Sequence, residues 1–258
     1  MGATGLGQLR PGGPVGVLLA EPGLSVLKVS VGPKDNNAYL LAGATASLLI
    51  DAADDPDRLL QLLATALPGS GQLPAPPYAI VTTHQHADHW QALTALVGAT
   101  GAVPYAGAPD CAAIERGTGV ACRPLWTGDR LSLDPRRQPA EQPRPGPFEG
   151  TPPAPGEPGE WSNRTLEIIG LAGHTPGSIA LALTAADGVV HLFTGDSLFP
   201  GGPGKTRSQR DFEMLMNDLE SKVFARFGDA SVVHPGHGDD TTLGAERPNL
   251  ARWWSRGW

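Results

Sequence analysis

Cysteine is scarce in this 258-residue chain: Cys111 and Cys122 are the only two. Two thiols cannot build a disulfide framework, so nothing points to an oxidising compartment. No apolar run reaches the length of a membrane span, because Gly, Asp or Pro interrupts each one. The first ten residues are Gly-rich with a single late Arg and lack the apolar block of a secretory signal. The expected location is therefore the cytoplasm. A basic excess is also missing. Lys plus Arg is 19 against 26 Asp plus Glu, a formal charge of −7, which argues against nucleic-acid partners. No G-x-S-x-G stretch occurs, so a serine on a nucleophile elbow is excluded.

What the chain has in quantity is glycine, 34 residues, and proline, 26. With 40% hydrophobic residues it still reads as globular, the Gly and Pro falling mainly in loops. The length suits one large domain over 1–258, with a loose leader at 1–22. Apolar segments bounded by turn residues predict strands at Leu24–Val31, Asn37–Ala42, Ala46–Ile50, Tyr78–Thr82 and Ala102–Tyr105. Further strands are expected at Arg164–Ile169, Ser178–Thr184, Val189–Thr194 and Ala230–His234. Asp55-Pro56 starts a helix that runs to Leu67, and helices are also predicted over Pro109–Arg116, Asp211–Phe227 and Ala245–Arg256. Residues 134–160 hold nine prolines and read as a surface insertion. Strands followed by helices, in two halves, predict an α/β (α+β) fold in which two mixed sheets pack face to face between outer helices.

The chemistry concentrates at His84-Gln85-His86-Ala87-Asp88-His89. About three in ten thousand sequences of this composition would carry HxHxDH by chance, so the run calls for an explanation. It follows the apolar strand ending at Thr82. His84 and His86, two apart, project to one side of extended backbone and can share one metal ion. Four ligand-type side chains so close together need a cation to organise them. His174, Asp196 and His237 stand in three further loops that each follow a strand: GHTPGS, TGDS and HPGHG. By contrast, His191 reads as packed within its strand, His234 as structural, and both cysteines as small buried hydrophobes. Trp253, Trp254 and Trp258 are expected to pack the last helix against the core.

Taken in order, HxHxDH, GHTPGS, TGDSLF and PGHG resemble the metallo-β-lactamase superfamily. The resemblance implies the four-layer αβ/βα sandwich with two metal ions between the sheets. It implies that His84, His86 and His174 hold the first, that Asp88, His89 and His237 hold the second, and that Asp196 bridges them. Asp88 and Asp196 would then act with a metal-bridging hydroxide. The N/O donor set suits zinc first, with iron or manganese as alternatives. The stretch from Thr194 through Thr206 looks most like the glyoxalase II group, in which a basic residue matching Lys205 holds a substrate carboxylate. The implied activity is hydrolysis of a thioester or ester in a small acyl substrate, an acidic one if Lys205 serves that role. Alternatives of the same fold are a mononuclear-iron persulfide dioxygenase, a lactonase or a phosphodiesterase. Phe199 stands where the lactonases carry Tyr. Arg207 and Asp239 occupy the places of the glyoxalase tyrosines.

Overall fold

Leu24–Val31 and Asn36–Gly43 are buried at all sixteen positions, as strands covered on both faces must be. The structure is a computed structural model and describes residues 9–134 and 164–257. These two segments are β2 and β3. With β1 (Gly16–Glu21) and β4 (Ser47–Ile50) they form an antiparallel meander. The same sheet continues in parallel through β5 (Pro77–Thr82), β6 (Val103–Gly107) and β7 (Arg123–Leu125). Parallel neighbours need crossovers. Three helices supply them: α1 (Pro56–Leu63), α2 (Leu93–Thr100) and α3 (Ala108–Thr118).

The second sheet takes β8 (Arg130–Ser132), β9 (Thr165–Gly170), β10 (Ile179–Thr184) and β11 (Val190–Gly195) as antiparallel neighbours. A small hairpin follows, β12 (Leu198–Phe199) with β13 (Gly202–Pro203), and then helix α4 (Gln209–Asp218). The helix widens into a π-helical stretch over Leu219–Phe224. Next, β14 (Val232–Pro235) lies parallel to β11, and β15 (Thr241–Thr242) closes that edge. Helices α5 (Leu243–Glu246) and α6 (Leu250–Arg256) end the described chain.

The period of two along each strand divides the apolar side chains between three layers. Val26, Leu41, Ile50 and Val81 meet Leu166, Ile168, Leu181 and Phe193 between the sheets. Their neighbours Leu27, Val29, Leu40 and Ile80 face α1–α3 through Leu59, Leu93 and Ile114. On the far side, Ile169, Ala180 and Leu192 face Phe212, Leu215, Met216 and Trp253. Each such side chain contributes about 1.5–3 kcal/mol by leaving water. The order is helix, sheet, sheet, helix, the four-layer sandwich expected from the sequence. Among the described residues no helix is long and apolar enough to cross a membrane.

Several boundaries differ from the sequence reading. The loose leader includes an edge strand, β1, whose pairing with β2 shifts at a bulge between Val17 and Leu19. Its alternation is too short and irregular to stand out among flanking Gly and Pro. Helix α1 starts where expected, with the Asp55 carboxylate accepting from the Arg58 amide, but stops at Leu63. The terminal helix is divided, because Pro248 lacks the amide that a continuous helix would need there. Both cysteines are buried, Trp253 is buried, and Trp254 donates to Glu220 at 2.7 Å. Residues 135–160 of the proline-rich stretch, and Trp258, lie outside the described residues.

His191 and His234 meet inside the second sheet, with Nδ1 of the first 2.9 Å from Nε2 of the second and their rings nearly coplanar, at 7°. Burial, reinforced by His234, pushes His191 down to about 4. The unfolded chain holds this proton below an ordinary value of about 6.5, and the folded chain refuses it until about 4. Stability is therefore lost as pH falls through that window, by about 3 kcal/mol in full. Urea unfolding of wild type and His191→Phe between pH 7.5 and 4.5 checks this: the variant should lose less stability on acidification. Parallel pH slopes would remove His191 as the cause.

Candidate metal centre

Strands β4, β5, β9, β11 and β14 all end at one edge of the sandwich, and each passes directly into a loop carrying Asp or His. This brings all seven sequence-predicted ligands together. His84, His86 and His174 each place a ring nitrogen within 4.8 Å of the others. The same limit holds for His84, His89 and Asp196, and again for Asp88, His89 and His237. Asp196 stands between the first and last of these groups. Its Oδ1 lies 3.4 Å from His89 Nε2, while Oδ2 lies 3.8 Å from His174 Nε2 and 3.5 Å from His237 Nε2. An open cavity of about 730 Å³ reaches the centre, lined by Lys34, His86, Ala87, Asp88, Asp196 and His237.

Four of the five histidines are aimed by an acceptor on the nitrogen facing away from the centre. His84 Nδ1 meets Thr83 Oγ1 at 3.1 Å and His89 Nδ1 meets Asp51 Oδ2 at 2.8 Å. His174 Nδ1 meets the Lys205 carbonyl at 2.6 Å, and His237 Nδ1 meets the Lys34 carbonyl at 2.9 Å. Such partners fix the tautomer with a bare Nε2 turned inward. His86 presents Nδ1 instead, 3.0 Å from His174 Nε2. Two buried atoms are left over. His84 Nε2 and Asp196 Oδ1 have no hydrogen-bond partner among the described residues. A buried acceptor without a donor is costly, and both atoms point at the place where a cation would satisfy them. The residues fit metal ions.

The electrostatics agree. Burial, with the neighbouring histidines, holds His84 well below its ordinary value, and burial with His174 lowers His86, so both rings are neutral and ready to ligate. For His89, burial pulls downward, but the Asp51 and Asp196 carboxylates outweigh it and push the ring up to about 10. Burial likewise opposes the rise of His237, which Asp196 drives. In turn, the nearby rings of His237 and His89 overcome the effect of burial on Asp196 and hold its carboxyl well below the carboxylate range. In the metal-free chain the two carboxylates thus favour a proton on His89, and metal loading there must expel it.

Four further residues were not singled out from the sequence. Asp51 directly follows β4 with φ of 58°; its Oδ1 accepts from the Thr83 amide at 2.7 Å while Oδ2 holds His89. Asp110, buried in the first turn of α3, accepts from the Gln85 and Gly177 amides, both at 2.8 Å, and from Thr175 Oγ1 at 2.5 Å. It thereby joins the loop of His84 and His86 to the loop of His174. Asn36 donates to the Asp88 carbonyl at 2.9 Å, and Lys34 Nζ lies 3.3 Å from Asp88 Oδ2. A strand-end position was the only sequence signal for Asp51. Asp110 had none beyond its place at a helix start. Lys205 enters the centre through its backbone carbonyl. Its side chain is exposed and is not among the described residues that line the cavity, where Lys34 stands. Glycine is required at 236, since a Cβ there would overlap Asp196 Oδ1 and come within 2.7 Å of His89 Cε1.

Known proteins resemble this chain in sequence and in fold. A hydroxyacylglutathione hydrolase from Anaeromyxobacter dehalogenans is 29% identical over 204 residues, which cover 79% of this chain and 62% of that protein. The hydroxyacylglutathione hydrolase GloC of Haemophilus influenzae is 38% identical over 87 residues, 32% of this chain and 37% of its own. The chain thus matches less than two thirds of the length of these relatives. Among solved structures, TTHA1623 in a di-iron-bound form superposes with a TM-score of 0.57 at 29% identity, over 85% of this chain and 96% of that one. A model of the metallo-beta-lactamase superfamily matches residues 31–237, the span that holds all seven clustered ligands, and the chain belongs to that superfamily.

Proposed function

We propose that this protein is a metal-dependent hydrolase of small thioester or ester substrates, working with two divalent cations. The observation that carries the reading is the Asp196 carboxylate, whose Oδ2 lies near both His174 and His237 while Oδ1 lies near His89. His84, His86 and His174 would hold one cation, and Asp88, His89 and His237 the other. Bound there, two such ions acidify water toward hydroxide at neutral pH and polarise the carbonyl that is attacked. The protein's own groups do the rest. The acceptors behind the rings keep four histidines aimed, the shared carboxylate offsets positive charge at the midpoint, and Lys34 and Asn36 orient Asp88. The N/O donor set suits zinc, and a relative known in a di-iron form supports iron as the alternative. Relatives named hydroxyacylglutathione hydrolases support a thioester as the bond cleaved.

Metal analysis together with a thioester assay tests the proposal. The purified chain should carry about two metal ions, and a chelator should abolish hydrolysis, with recovery on adding the metal back. One tightly held iron together with oxygen-dependent persulfide oxidation would move the reading to a dioxygenase.

Lys205 allows a test of substrate charge. An exposed ammonium on the loop that follows Asp196 can meet a substrate carboxylate, but solvent screening limits the gain to about 1 kcal/mol or less. Lys205→Ala keeps the backbone carbonyl that aims His174. It should therefore raise KM about twofold to fivefold on an acidic thioester, with kcat unchanged and a matched neutral thioester unaffected. Equal effects on both substrates would show that no carboxylate is read by this lysine.

A further inference from the structure

His237 rides on the turn Pro235–Gly238, which leaves the second sheet but is gripped by the first. Tyr39 Oη donates to the Pro235 carbonyl at 2.6 Å, and Asn37 Nδ2 donates to that carbonyl at 2.9 Å and to Gly238 at 3.0 Å. The Asn37 amide donates to the Gly236 carbonyl at 2.7 Å. Lys28, on β2, donates from Nζ to the Gly238 carbonyl at 3.0 Å and pairs with Asp240 Oδ1 at the same distance. Both side chains of this pair are sealed from solvent, at 0% and 1% exposure, and His234 Nδ1 stands 3.2 Å from the same Asp240 oxygen.

The position of Lys28 is unusual for its residue type. On β2 the side chains of Leu24 and Val26 enter the apolar layer between the sheets, and the period of two sends Lys28 the same way. A leucine there would suit the layer without the several kcal/mol that desolvating an ammonium costs. A buried ion pair of this kind contributes little net stability, and its best-attested use is to specify one geometry over others. Here the geometry specified is that of the His237 turn, since Lys28 meets Gly238 just after the ligand and Asp240 two residues beyond.

We infer that Lys28 and Asp240 are positioning residues for His237, a buried ion pair between the sheets that sets the turn carrying this ligand against Asp88 and His89. The inference rests on the two-cation reading above and predicts an asymmetric defect. Removing the pair loosens the His237 side and leaves the His84–His86–His174 side intact.

Cobalt(II) titration of the full metal-free chain, followed by visible absorption and by bound-metal stoichiometry, tests this without any activity assay. Wild type should take two ions. Lys28→Met and Asp240→Asn should each bind one ion as wild type does and the other about tenfold to a hundredfold more weakly, the usual cost of losing an outer partner of a ligand. Tyr39→Phe retains the ring and loses one bond to the turn. It should weaken the same ion about threefold to tenfold, and it decides the matter if the charge variants fail to fold. Two ions bound with unchanged affinity in the variants, or both weakened alike, would overturn the inference alone. A wild-type chain that takes only one cobalt would overturn the two-cation reading and this inference with it.

Discussion

Asp196→Ala is expected to lower hydrolysis about a thousandfold or more while leaving the metal-free fold close to wild type in thermal stability. The carboxylate lies within 3.4–3.8 Å of histidines in both halves of the centre, so on the two-cation proposal its loss removes a negative charge and a ligand from each. About 4 kcal/mol of transition-state stabilisation would account for the thousandfold effect, within the several kcal/mol that metal-held chemistry supplies. Little stability should go with it, because the carboxylate meets only histidine side chains of the centre and holds no backbone amide among the described residues. Metal analysis should find one or both ions depleted. Wild-type turnover by this variant would remove Asp196 from the chemistry.

Asp110→Ala should act in the opposite sense, on the fold first and through it on the metal. This carboxylate is buried and accepts three hydrogen bonds from two loops. Burial pushes its carboxyl up, partly offset by Thr175 and the Gln85 and Gly177 amides, so it is held mainly by those donors. Alanine would leave the buried Gly177 amide and the half-buried Gln85 amide without their acceptor, and Thr175 with Ser178 alone, at about 1–3 kcal/mol for each lost bond, of which relaxation and entering water recover a part. A net loss of about 3–5 kcal/mol follows, or a fall of about 10 °C in Tm for a domain of this size. His86 and His174 should lose their mutual register, so metal content should fall on their side. Asp110→Asn, which keeps one acceptor oxygen, should lie between the two. An unchanged Tm for Asp110→Ala would show that water replaces the carboxylate without penalty, and that the two loops stand independently.

The contrast between these residues separates what the sequence by itself determined from what tertiary structure decided. HxHxDH is a local pattern, and extended backbone places His84 and His86 on one side whatever surrounds them. Likewise His174, Asp196 and His237 each follow a strand that apolar runs and flanking turn residues make legible. The layered fold was therefore readable before any coordinates, and so, with the family resemblance, were the seven side chains that the structure brings together. The β1 edge strand and the two- and three-residue strands were not, since so few residues show no period. Nor were the groups that aim the ligands. Asp51 reaches His89 across 38 positions, Asp110 reaches Thr175 across 65, and Lys28 reaches Asp240 across 212. Sheet order sets those meetings, not sequence spacing. Lys205 makes the point on a smaller scale: the sequence suggests a use for its side chain, and the structure adds one for its backbone carbonyl, which meets His174 Nδ1 at 2.6 Å. Local chemistry picks out the candidate ligands, because strand geometry and turn propensity act over a few residues. Pairing across the two sheets decides how those ligands are held, because hydrogen-bond partners of a buried ring are chosen by which strands lie side by side.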